Sequence, residues 1–255
     1  KQSVYKQLQS KYPDQPDSIT YYLNKPHKVT LFDYEKGEIE MEMSTMDSIR
    51  YMVRFMHCAF VAMEPQTAHV KAWVGDIDFN HWKYDKVTAQ RQPGSTFKLF
   101  VYTEAMEQGL TPCDKRRDEY FSMKVWDATK KQEVTWAPTN ANGTFSNDSM
   151  PLRAAFARSI NSVAVRLGQE MGIKNIIETA HVMGIKSPLD EAPALALGSS
   201  DVNLLEMANA YSTVANDGKA HPEAILVTKI LDREGNEIYV APSEQKQAIS
   251  LKAAY

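Results

Sequence analysis

The sequence predicts an α+β chain in which an antiparallel sheet packs against a cluster of helices. Three observations carry that expectation. Two pairs of apolar runs are joined by turn-forming residues; three helical runs follow one another in the middle of the chain, the last two with glycine stops; and one helix with apolar residues on nearly every side opens behind Pro93-Gly94.

Taken in order, residues 1–45 are polar and tyrosine-rich and are read as a linker or interdomain segment, leaving 46–255 as the main domain. Within that first segment, Val29-Thr-Leu-Phe and the alternating Glu38-Ile-Glu-Met-Glu-Met suit short strands around the Glu35-Lys-Gly37 turn. The apolar runs Cys58–Met63 and His69–Val74, separated by Glu64-Pro-Gln-Thr, predict a hairpin at the edge of a sheet. Gln92-Pro-Gly-Ser95 then turns the chain into a helix from Thr96 to Gln108 that is apolar on nearly every side and therefore buried. Residues 113–148 read as a long polar surface excursion. A short helix is expected from Ser149 to Arg158 with Pro151 at its first position, then helices over 162–171 and 174–183 ending at Gly172 and Gly184. Asn203-x-x-Glu206 is a capping box for a helix reaching Asn216, and Ile225–Leu231 with Glu237–Val240 predicts a second hairpin.

Composition narrows the function. A 255-residue chain with 43% hydrophobic and 24% charged residues and a formal charge of −3 reads as an ordinary globular chain with no basic tract for nucleic acid. The longest apolar run, Cys58–Met63, is far shorter than the roughly twenty residues a membrane helix needs, so any anchor or export signal is expected outside this chain. Two cysteines cannot build a CxxC metal site, the six histidines show no ligand spacing, and the carboxylates form no pattern suited to glycoside hydrolysis. No metal or organic cofactor is expected.

The candidate catalytic element is Ser95-Thr-Phe-Lys98. Residues three apart share a helix face, so the lysine amine can approach the serine hydroxyl. Burial pushes an amine toward its neutral form, which can take the serine proton, and the N–H groups at the helix start favour a developing oxyanion. Ser-x-x-Lys also occurs at Ser3–Lys6 and Ser243–Lys246, but both lie in polar tracts that cannot shield a lysine. Ser159-Ile-Asn161 is the only Ser-x-Asn in the chain and falls at a break between helices. Its hydroxyl suits a proton relay and its amide a substrate contact, although serine and asparagine are also ordinary cap residues.

S-x-x-K, S-D-N and K-T-G form the signature set of penicillin-binding proteins and class A β-lactamases. Arg91-Gln-Pro-Gly-Ser-Thr-Phe-Lys98, extended by Leu99-Phe-Val-Tyr102, resembles the nucleophile segment of class A penicillin-binding proteins. Trp136-Ala-Pro-Thr-Asn140 with Gly143, Leu152-Arg-Ala-Ala-Phe-Ala-Arg-Ser-Ile-Asn161 and the run from Leu195-Ala-Leu-Gly to Tyr211 follow in that family's order. The resemblance covers roughly residues 46 to 250. Three departures stand out: Ser-Ile-Asn replaces Ser-Asp-Asn, Ala68 and Asp76 stand where the family usually has glycine, and no Lys-Thr-Gly or Lys-Ser-Gly occurs. The expectation is a penicillin-binding-protein/β-lactamase-like transpeptidase domain cut before its third motif and incomplete at the C-terminus.

What the resemblance implies is a peptidoglycan D,D-transpeptidase that works through a serine acyl-enzyme. Ser95 would be the nucleophile, Lys98 the base, Ser159 the proton relay and Asn161 a substrate-binding residue. The implied partners are peptidoglycan stem peptides ending in D-Ala-D-Ala, β-lactam antibiotics and an N-terminal glycosyltransferase domain, at an extracytoplasmic location. A β-lactamase would need an acidic water-activating loop, and none is recognisable. The alternative from another class is a non-catalytic scaffold or β-lactam-sensing module of the same fold.

Overall fold

The computed structural model describes residues 2–127 and 130–255. They form two compact units, the residues up to 58 with 76–83, and residues 59–75 with 84–255.

The first unit contains helices α1 (Gln2–Lys11) and α2 (Pro16–Asn24), strands β1 (His27–Asp33) and β2 (Gly37–Met43), and helix α3 (Thr45–Met52). β1 and β2 pair antiparallel from His27↔Met43 to Asp33↔Gly37, as their alternation predicts. Asp33 Oδ1 closes the turn by accepting from the Glu35 and Lys36 N–H groups at 3.0 Å. Ser44 caps α3, its hydroxyl accepting from Asp47 N–H at 3.1 Å. The interior is aromatic: buried Phe32 meets Phe55 and Trp82 edge-on with centroids 5.2 Å apart.

The second unit opens with the expected hairpin, β3 (Phe60–Met63) against β4 (Val70–Val74). After a 3₁₀ turn over Gly94–Phe97 comes α4 (Lys98–Glu107), followed by β5 (Lys115–Arg117), β6 (Met123–Asp127), β7 (Gln132–Trp136) and β8 (Ser149–Pro151). Helices α5 (Leu152–Ala157), α6 (Asn161–Met171), α7 (Ile173–Val182) and α8 (Leu204–Ala215) build the helical half. The remaining elements are β9 (Lys219–Ala220), β10 (Lys229–Leu231), β11 (Glu237–Val240), β12 (Lys246–Gln247) and α9 (Leu251–Ala254). Among the described residues the strands pair two by two, all antiparallel.

α4 is the axis of this unit. Its Phe100, Val101 and Ala105 are fully buried, and the core around them comes from Val163, Ala164 and Leu167 of α6, Ile176 and Ala180 of α7, and Leu195 and Ala196. A helix that is apolar all round has no face to offer water, so its neighbours enclose it. α8 starts where its capping residues predict, with Asn203 Oδ1 accepting from Glu206 N–H at 2.9 Å.

Two expectations need correction. Ser149–Pro151 is not the start of a helix but a strand paired with Lys115–Arg117; Pro151 has ψ 146 and stands just outside α5. The 113–148 excursion is not all surface, because Asp118 and Asn140 are buried within it. Cys58 and Cys113 are free and exposed.

Candidate active site

Ser95 lies on the 3₁₀ turn that leads into α4. In such a turn residues three apart eclipse, so Ser95 and Lys98 share one face. The turn begins at Gly94 with φ +59, and it leans on Gly198, whose carbonyl accepts from Gly94 N–H at 3.4 Å. Gly198 also has positive φ, +75, and a Cβ added there would lie 2.2 Å from Gly94 O. No side chain fits between these two backbones. Tyr211 Oη–H donates to Thr96 O at 2.9 Å, Gln92 Nε2 to Ser199 O at 2.9 Å, and Arg91 exchanges both backbone hydrogen bonds with Val202 at 2.9 Å. Ser95 itself is exposed, and no hydrogen bond among the described residues engages its hydroxyl.

Lys98, by contrast, is buried, with 1% of its surface exposed. Its Nζ contacts Ser159 O at 2.7 Å, Ser159 Oγ at 3.0 Å and Asn161 Oδ1 at 2.6 Å. Three of the four residues singled out by sequence therefore meet at one amine. Ser95 sits one turn back along the backbone and is not hydrogen-bonded to them.

The corner that receives the amine is a helix terminus. α5 ends at Ala157 with Arg158 as its C-cap; Ser159 N–H bonds to Phe156 O at 2.9 Å and Ile160 N–H to Ala155 O at 3.0 Å. That is a Schellman ending, whose left-handed residue is usually glycine. Here the position is held by Ser159 at φ +55. Serine there costs about 1 kcal/mol of backbone strain, and the result is that its carbonyl and hydroxyl both face Lys98.

α6 then begins at Asn161 with no cap of its own, since Ile160 carries no acceptor. A distant residue supplies it: Asn140 Oδ1 accepts from Asn161 N–H at 3.0 Å and Ser162 N–H at 3.2 Å. Asn140 Nδ2 donates to Asp118 Oδ1 at 2.7 Å and Thr144 O at 2.9 Å. Asp118 Oδ1 also accepts from Ser162 Oγ–H at 2.6 Å, and Oδ2 from Ser146 N–H at 2.9 Å. Asn161 Nδ2 donates to Thr139 O at 2.8 Å. Asp118 and Ser162 were not picked out by the sequence reading. The available signal was Asn140, whose segment matched the family pattern but had no role attached.

Electrostatics separate Lys98 from Asp118. Burial lowers the Lys98 pKa to about 8. Burial by itself would raise Asp118, yet the hydrogen bonds from Ser146, Ser162 and Asn140 outweigh it and hold the carboxyl below its usual range. Nearby Tyr102, one turn after Lys98 on α4, is pushed well above the normal phenol range by burial. Among the described residues no His, Cys, Asp and Glu cluster is placed to hold a metal ion, and no helix is long and apolar enough to cross a membrane.

Comparison with known proteins matches residues 58–254 to the penicillin-binding protein transpeptidase domain and residues 1–56 to the penicillin-binding protein middle domain. The chain is 36% identical over 197 residues to penicillin-binding protein 2D of Bacillus subtilis (strain 168), covering 77% of this chain and 28% of that protein. It is 36% identical over 182 residues to penicillin-binding protein 1A of Rickettsia prowazekii (strain Madrid E), covering 71% and 22%. The chain thus spans about a quarter of the length of these curated relatives. Among solved structures, penicillin-binding protein 1A from Haemophilus influenzae superposes with a TM-score of 0.66 at 26% identity, over 83% of this chain and 29% of that one. PonA1 from Mycobacterium tuberculosis, solved with penicillin V, shares the fold at TM-score 0.65 and 20% identity, over 99% and 67%. Ser95, Lys98, Ser159 and Asn161 all fall inside the span matched by the domain, and this chain belongs to the family of penicillin-binding protein transpeptidases.

Proposed function

We propose that the protein is a serine-type D,D-transpeptidase of peptidoglycan synthesis, acting outside the cytoplasm, and that β-lactams acylate the same serine. The observation that carries the reading is the Lys98 amine: dry, depressed to about 8, and held by Ser159 and Asn161. Two of its three contacts, Ser159 O and Asn161 Oδ1, can only accept. A neutral amine therefore spends its two N–H groups on them and keeps its lone pair for a hydroxyl. At pH 7 roughly a tenth of such an amine is neutral, against well under a thousandth for an ordinary lysine.

In this mechanism Lys98 takes the Ser95 proton as Oγ attacks the carbonyl of the penultimate D-alanine of a stem peptide. The tetrahedral oxyanion collapses, the C–N bond breaks, and the terminal D-alanine leaves with a proton relayed through Ser159 Oγ. A neighbouring stem's amine then attacks the Ser95 ester, returning the proton to the site and joining the two stems. Asn161 keeps one amide N–H beyond the bond to Thr139 O, which suits a contact to the substrate backbone. A glycosyltransferase domain elsewhere in the polypeptide is the partner that the class A relatives suggest.

The test is covalent labelling with a fluorescent penicillin, followed by peptide mapping. The expected adduct is on the peptide containing Ser95, persistent over minutes, and absent from Ser95→Ala with stability changed by no more than about 1 kcal/mol. An adduct on another peptide would overturn the nucleophile assignment, and its rapid hydrolysis would indicate a β-lactamase.

A further inference from the structure

The amine-binding corner is held from outside its own helices. Asn140 offers its oxygen to two N–H groups at the start of α6 and its nitrogen to two oxygens, Asp118 Oδ1 and Thr144 O. Only one amide orientation satisfies all four contacts; flipped, Nδ2 would face two donors and Oδ1 would face a carboxylate. Asp118 accepts three hydrogen bonds, with 3% of its surface exposed, and Asn140 is 6% exposed.

We infer that Asn140, oriented by the carboxylate of Asp118, is the positioning residue that sets Ser159 and Asn161 on the Lys98 amine. The inference deepens the transpeptidase reading and rests on it for its kinetic consequence. The Asn140 side chain hydrogen-bonds to neither Lys98 nor Ser95. It acts by capping α6 at Asn161, whose side chain and whose neighbour two residues back supply all three oxygens around Nζ. With that cap lost, the first turn of α6 frays and the acceptors move relative to the amine. Misplacement of about 1 Å in such a site is worth up to a hundredfold in rate.

The pairing makes a specific genetic demand. In Asp118→Asn, the introduced amide must set its nitrogen against a donor, either Asn140 Nδ2, which then loses that contact or flips and uncaps α6, or Ser146 N–H, and in both cases Asn140 loses the carboxylate that oriented it. Adding Asn140→Asp restores a donor opposite an acceptor: the introduced amide at position 118 now donates and the introduced carboxylate at position 140 caps the helix, while its other oxygen, set against Thr144 O, keeps the rescue partial.

The experiment measures penicillin labelling at saturating and subsaturating concentrations, with backbone amide exchange at 161 and 162 read against Ala180 of α7 as the control. For Asp118→Asn the expected result is a maximal acylation rate down by about tenfold or more, with half-saturation and labelled fraction near wild type and protection lost at 161 and 162 alone. The double variant is expected to recover protection and to regain part of the lost rate, running at least about threefold faster than Asp118→Asn. A role in folding alone would lower the labelled fraction and leave the rate of the folded molecules unchanged, which would refute positioning. So would a double variant no faster than Asp118→Asn. If the wild type takes no penicillin, the transpeptidase reading fails on its own, and the exchange at 161 and 162 still decides whether Asn140 holds the corner.

Discussion

The two halves of the site are held by opposite means. The Ser95 turn is exposed and rests on backbone, Gly94 against Gly198 with no room for a Cβ on Gly198, pinned alongside by single bonds from Tyr211 and Gln92. The Ser159–Asn161 corner is sheltered and rests on side chains, a hydrogen-bonded path from Asp118 through Asn140 to the start of α6. The contrast follows the tasks proposed for each. A nucleophile must meet a substrate from solvent, so its position is set by steric contact that water cannot loosen. A proton acceptor must stay dry, and a dry polar group is tolerable only when every partner is fixed.

Predictions can break this contrast at either half. The largest effect is expected from Lys98→Arg, because a guanidinium stays protonated and cannot act as a base; penicillin acylation should fall at least about a hundredfold with the fold retained. A Lys98→Arg protein that labels at normal speed would remove the lysine from the mechanism.

Gly198→Ala strikes the steric half. A methyl 2.2 Å from Gly94 O, on a residue at φ +75, should cost roughly 2–3 kcal/mol in thermal or denaturant unfolding and slow labelling by moving the Ser95 turn. The same substitution without either effect would mean that the turn adjusts freely. The pH profile probes the polar half. Because Lys98 is depressed to about 8, its neutral form appears as pH rises through that value, so the acylation rate should climb about tenfold per unit below 8 and level off above it. Unfolded lysine keeps its proton to about 10.4, so the native state alone releases it between these values; stability lost to burying the charged amine is full below pH 8 and fades as pH rises toward 10.4, and folding stability should rise across that window. A rate already flat from pH 6 upward would contradict a depressed amine.

The smallest expected effect compares two substitutions at one position. Ser159→Ala and Ser159→Gly both delete the hydroxyl, but only glycine relieves the left-handed strain at φ +55, so it should be the more stable by about 1 kcal/mol. Equal stabilities in chemical denaturation would show that the backbone at 159 carries no strain.

How much of this was legible follows from the range of each signal. Ser95, Lys98 and the burial of α4 are local, written in three-residue spacing and in apolar residues on nearly every side of one helix. The hairpins at Phe60–Val74 and Lys229–Val240 are local too. Ser159 was legible as a helix break; its left-handed backbone could have been read from a helix stop without a glycine. Asp118 was not legible, because its partners Asn140, Ser146 and Ser162 lie far along the chain and a polar stretch gives no sign that one of its acids is buried. Pro151 misled for a similar reason, since its strand pairing with Lys115 is invisible to a helix-start rule.

The convergence of three segments on Asp118 also makes the site separable from the core. Helices α4, α5 and α6 pack on their apolar faces, whereas the first turn of α6 is capped only while Asn140, held by Asp118, lies against it. A molecule in which that contact has opened would keep a formed core and lose the site. A protease cut in the exposed loop at 141–143 would return the finished protein toward that condition while leaving its core standing.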